Sequence, residues 1–78
     1  MGRRVRTAFQ RLPLHGQTII LLLNAKGKQQ TWLAEQCGVT PSMINHLIAG
    51  RTTPSLPVAL KISKALGGTV ETIFKDLV

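Results

Sequence analysis

Apolar positions along the chain fall into six short runs separated by glycine and proline. Pro13 with Gly16, then Gly27, Gly38, Gly50 with Pro54, and Gly67 with Gly68 divide it into segments of globular-helix length, and these are helix-stop residues. In the first segment, 3–12, Val5, Ala8, Phe9 and Leu12 sit at i, i+3, i+4 and i+7, one helical face. Arg4, Arg6 and Arg11 lie off that face. Two readings stand: a short basic amphipathic helix, or a flexible basic arm whose period is accidental. The second segment, 16–26, is apolar in every direction of a helical wheel, so it should be covered on more than one side.

The remaining segments carry sharper end signals. Gln30 to Cys37 is short and closes at Gly38. Thr40 is a good N-cap for the next helix, and Pro41 suits its first position, where no amide donor is needed. That helix ends before Gly50. Another starts after Ser55, with Leu56, Ala59, Leu60, Ile62 and Leu66 as its packed face and Gly67 as its end. A last one follows Thr69, with Val70, Ile73, Phe74 and Leu77 as its apolar stripe and Glu71 in the first turn. The pattern predicts an all-α bundle in two parts: a basic arm or short helix over 1–14 and a helical domain over 15–78.

The central pair has a spacing with a physical logic. Two short helices joined by a tight turn must cross steeply. Ala34 is small at the crossing, and Gly38 can take the positive φ that the turn requires. Leu33, Val39, Ile44 and Leu47 then point inward. Pro41, Ser42, Met43, Asn45 and His46 lie on the outward side of the second helix.

Charge narrows the partners. Ten Lys and Arg against three acids give a formal +7. A polyanion is the expected partner, nucleic acid ahead of an anionic membrane surface. The run Ile19 to Leu23 is too short for a secretory h-region or a membrane span, so no membrane partner is expected. Cys37 is the one cysteine, which excludes an intramolecular disulfide and suits a reducing cytoplasm. Cys37, His15 and His46 contain no pair at zinc-ligand spacing, so neither metal nor other cofactor is expected. The acids, Glu35, Glu71 and Asp76, neighbour no histidine in a catalytic arrangement, and no phosphate loop or nucleophile motif occurs; the chain reads as a non-enzyme. Cys37 reads as a small buried hydrophobe, Trp32 as a partly packed anchor, and Lys61, Lys64 and Lys75 as solvated surface.

Three stretches carry a family resemblance. They are Trp32 to Thr40 followed by Ile44, then Ala49-Gly50-Arg51-Thr52-Thr53-Pro54-Ser55, then Leu60 to Gly67. In these residues the chain resembles the Cro and phage-repressor type of helix-turn-helix domain, also called lambda-repressor-like, over roughly residues 16–76. Two features depart from that pattern. Residues 1–14 have no clear counterpart, and Ile20, Leu21 and Leu23 stand where the family often carries charge.

The resemblance implies a five-helix bundle whose third helix lies in the major groove of double-stranded DNA. Ser42, Asn45 and His46 would then contact base edges, with Pro41 and Met43 offering apolar contact to a thymine methyl. Gln30, Thr40, Arg51, Thr52 and Thr53 would hold phosphates. The bland reading of Asn45 and His46 is ordinary solvated surface. The implied function is a nucleoid-associated, cytoplasmic transcriptional regulator of bacterial or phage type, with repression expected ahead of activation. It would act as a homodimer on a near-palindromic operator through Val70, Ile73, Phe74 and Leu77, with Val78. The competing reading is an antitoxin-like interaction module that neutralises a co-encoded protein. Within 1–14, Val5, Phe9, Leu12 and Leu14 match the apolar surplus of Ile20, Leu21 and Leu23, and the two sets should pack together, within one chain or across a dimer. Arg3, Arg4, Arg6 and Arg11 would stay in solvent, free to reach phosphates or a narrow minor groove.

Overall fold

Thr7 and Gln10 cap one another: the Thr7 N–H donates to Gln10 Oε1 at 2.9 Å and the Gln10 N–H donates to Thr7 Oγ1 at 3.2 Å. In the computed structural model, which describes residues 7–77, this pair opens a single 3₁₀ turn, Phe9–Arg11. The helix expected over 3–12 is therefore one turn within the described residues. Leu12 is extended, as a residue before proline must tend to be, and that ends the turn. Val5, Arg3, Arg4 and Arg6 lie outside the described residues.

Five α-helices follow, and the described residues hold no strand: α1 (Leu14–Lys26), α2 (Gln30–Cys37), α3 (Pro41–Ile48), α4 (Leu56–Leu66) and α5 (Val70–Ile73). Thr40, Ser55 and Thr69 cap α3, α4 and α5, each side chain accepting an N–H from the first turn. Pro13, the cap residue of α1, has no side-chain acceptor to offer. The Asp76 carboxylate supplies one instead, accepting the His15 N–H at 3.3 Å from the other end of the chain.

One core joins all five helices. Ile19 and Leu23 come from α1, Leu33, Ala34 and Cys37 from α2, Ile44, Leu47 and Ile48 from α3. Ala59, Ile62 and Leu66 come from α4, and Ile73 and Phe74 from the C-terminal end. Burial pushes the Cys37 thiol up, and nearby Lys61 only partly offsets it, so the thiol behaves as the small apolar group expected. No helix among the described residues is long and apolar enough to cross a membrane.

Three expectations need correction. Leu56 and Leu60 of α4 are exposed, at 64% and 49%, and not part of its packed face. Ser63 takes the core position instead and satisfies its hydroxyl by donating to the Ala59 carbonyl at 2.8 Å. Ile73 and Phe74 are 0% and 1% exposed, so they serve the protomer's own core and offer a partner almost no surface; a small domain needs its few large side chains for its own core. Finally, of the apolar surplus of α1 only Leu21 is left open within the described chain. Leu23 is core and Leu21 stays 58% exposed. Leu12 packs on the bundle, its carbonyl accepts from Gln17 Nε2 at 3.0 Å, and Pro13 stands against Gly50 beyond the end of α3.

Candidate nucleic-acid interface

The turn between α2 and α3 is built from backbone hydrogen bonds around one glycine. Gly38 has φ 67°, and its N–H donates to the Glu35 carbonyl while the Val39 N–H reaches back to Ala34 at 3.0 Å. The chain then extends at Thr40, whose Oγ1 accepts the Met43 N–H at 3.2 Å. Pro41 follows at the first helical position, so α3 leaves the turn in one direction.

α3 divides cleanly. Ile44, Leu47 and Ile48 are buried, while Pro41, Ser42, Met43, Asn45 and His46 all face solvent. Every side chain expected to read bases therefore lies on one open face. Eight residues at 1.5 Å rise make about 12 Å of rod, the scale of a major groove.

The phosphate candidates flank this face on two sides. Arg51, Thr52 and Thr53 are exposed in the loop after α3, where the Arg51 N–H donates to the His46 carbonyl at 2.9 Å. Met43, Thr52 and Thr53 line one cleft of about 230 Å³ together with Leu47, Pro54, Ser55 and Val58. The loop and the reading face are thus contiguous. Thr40 is exposed; its oxygen is engaged as an acceptor but its O–H is still free to donate.

Gln30 stands apart. It is half-buried at the start of α2 and shares a second cleft with Lys28 and Gln29. Lys28 was missed by the sequence reading. Its ammonium lies over the Trp32 ring, 5.6 Å from the centroid, which holds a positive charge beside the first turn of α2. The Gln29 cap position makes no side-chain hydrogen bond, so the amides of that turn remain open to an anion. The signal was present as a Lys four residues before a Trp, but only the helix start brings the two into contact. Arg11 is exposed; Arg3, Arg4 and Arg6 lie outside the described residues.

A second correction of chemistry concerns His15. Sequence neighbours offered no histidine–acid pair, yet His15 Nδ1 lies 2.7 Å from Asp76 Oδ2. Its Nε2 lies 3.0 Å from the Leu47 carbonyl oxygen. Burial alone would push the Asp76 carboxyl up; the hydrogen bonds from the His15 ring and backbone outweigh it and hold the carboxyl below its ordinary value. Both ring nitrogens are committed, so the ring has no free nitrogen to act as a general base.

Five helices, a glycine turn and an exposed second helix define a helix-turn-helix domain. A helix-turn-helix family of the lambda-repressor and Cro kind matches residues 19–73, well over half of the chain, and the protein belongs to it. It is a DNA-binding transcription regulator of that kind. No curated protein and no solved structure matches the chain.

Proposed function

We propose that the protein is a sequence-specific repressor that reads the major groove with α3, acting as a homodimer on a near-palindromic operator. The observation that carries this is the face of α3: five outward side chains, Pro41, Ser42, Met43, Asn45 and His46, beside a loop bearing Arg51, Thr52 and Thr53. Ser42, Asn45 and His46 contact base edges, with Asn45 suited to a bidentate pair with adenine. Thr40, Gln30, Lys28 and the loop residues hold phosphates and set the register of the helix. The formal charge of +7 gives the association its electrostatic drive, and Arg11 extends the basic surface beyond the bundle.

Leu77 and Val70 remain as the dimer candidates of the C-terminal stripe. With Leu56, Thr53, Pro54, Ala59 and Phe74 they line a groove of about 170 Å³. Exposed Leu56 and Leu77 make the rim of this groove apolar, which suits a second copy related by a two-fold axis. The groove shares Thr53 and Pro54 with the cleft beneath Met43, so a partner seated there would lie beside the DNA-binding loop.

Selection of binding sites from random duplex DNA tests the reading. A selected site with two inverted halves about one helical turn apart is the expected result. Recovery of no preferred sequence, or affinity that does not fall with salt, overturns it.

A further inference from the structure

The His15–Asp76 pair lies outside the reading face, yet it ends on the reading helix. Three independent contacts converge there. His15 Nε2 reaches the carbonyl of Leu47 in the last turn of α3 at 3.0 Å. The backbone of Gly16 lies directly against the Ile48 carbonyl, leaving no room for a Cβ. Pro13 stands against Gly50 one step further on. The first turn of α1 is thus a seat for the end of α3. Asp76 fastens that seat: one carboxylate oxygen takes both the His15 ring and the His15 N–H, at 2.7 and 3.3 Å. His15 itself is 2% exposed and tilts against Phe74, whose ring centroid is 5.7 Å away.

The ring faces an ionised carboxylate on one side and a carbonyl on the other, and both are acceptors only. Each ring nitrogen therefore has an acceptor within reach, and the two contacts together fix the orientation of the ring. A hydrogen bond to an ionised carboxylate in a half-buried setting is strong for its kind.

We propose that His15 and Asp76 are positioning residues for DNA recognition, a latch through which the C-terminal tail holds the end of the reading helix in register. This rests on the reading of α3 as the base-contacting helix. Base contacts need placement to within about 0.5 Å, whereas long flexible cations find phosphates from many positions. Opening the latch should therefore cost selectivity more than affinity as such. Phe74 also lines the groove assigned to a second copy, so the latch lies between that groove and α3.

The test compares the intact chain with Asp76→Ala, Asp76→Asn and His15→Gln, at a temperature where circular dichroism shows all of them folded. Each is titrated with the selected operator and with random duplex. For Asp76→Ala the ratio of the two affinities should fall about tenfold, the loss of roughly one charge-assisted hydrogen bond. Asp76→Asn keeps an acceptor and should fall between, and random-duplex affinity should change by less than about twofold. An unchanged ratio, or equal losses on both DNAs, overturns the latch. Amide spectra of the free proteins give a readout independent of DNA: Asp76→Asn should shift the amides of residues 45–50. If those amides do not move, the latch is wrong whatever the DNA result. If the intact chain selects no operator, the DNA reading fails by itself, and the amide shifts alone decide whether the tail holds α3.

Discussion

α1 and α3 touch along one edge and solve opposite problems. α3 is split between a buried apolar side and an exposed side of Pro41, Ser42, Met43, Asn45 and His46. α1 is apolar all round, and its neighbours cover only part of it: Ile19 and Leu23 are enclosed, Ile20 and Leu22 are half-covered, and Leu14 and Leu21 are open. The sharply divided helix is the one whose free face is proposed to read DNA. The undivided one carries the structure, and its first turn serves as the seat on which α3 rests. The lesson is that hydrophobic surplus on a helix need not mark an interface within the chain, while a clean divide marks where burial stops.

The contact between the two helices is where a substitution should do most harm. In Gly16→Ala the new Cβ would meet the Ile48 carbonyl, and backbone cannot yield as a side chain does. A loss of about 3 kcal/mol is expected, near the upper end for overpacking, checked by urea unfolding. An effect under about 0.5 kcal/mol, the ordinary surface value, would mean that α1 and α3 are not held this closely.

On the free face of α3 the loss should appear in binding instead. Asn45→Ala should cost about 1–3 kcal/mol on the selected operator and relax one base position. Its unfolding midpoint should stay unchanged, because Asn45 is exposed. Equal weakening on specific and random DNA would reduce Asn45 to a backbone contact.

A smaller effect belongs to acid. The Asp76 carboxyl sits below its ordinary 3.8 in the folded protein, so folding favours the ionised form. That contribution is complete above 3.8 and is lost as pH falls through the lower folded value. Acid unfolding of Asp76→Asn should therefore lack one proton-linked step that the intact chain shows. Identical acid limbs would remove the His15 contact as a stabilising one.

The smallest change is expected on the outer side of α1. Leu21→Lys replaces a 58% exposed side chain and should alter stability by less than about 0.5 kcal/mol. Leu23→Ala, two residues on, should cost about 2–5 kcal/mol. If Leu21→Lys instead lowers the melting temperature or shifts the sedimentation coefficient, that face is covered in solution, and the contrast with α3 narrows.

Local signals settled most of the helix boundaries. Thr40-Pro41, Ser55 and Thr69 open helices, and Gly27, Gly38 and Gly67 close them, because caps and left-handed turns depend on neighbouring residues only. The exposed face of α3 follows from the same local period, since Ile44 and Leu47 fix which side is buried. Tertiary packing alone decided the rest. Leu60 lost its place to Ser63, Leu21 stayed outside, and Ile73 and Phe74 went into the protomer core, because a period names candidates for burial and only the neighbouring helices choose among them. Lys28 reached Trp32 only once α2 had formed. His15 and Asp76 are 61 positions apart, and no local pattern can carry a contact that exists only when both ends of the chain meet at the last turn of α3.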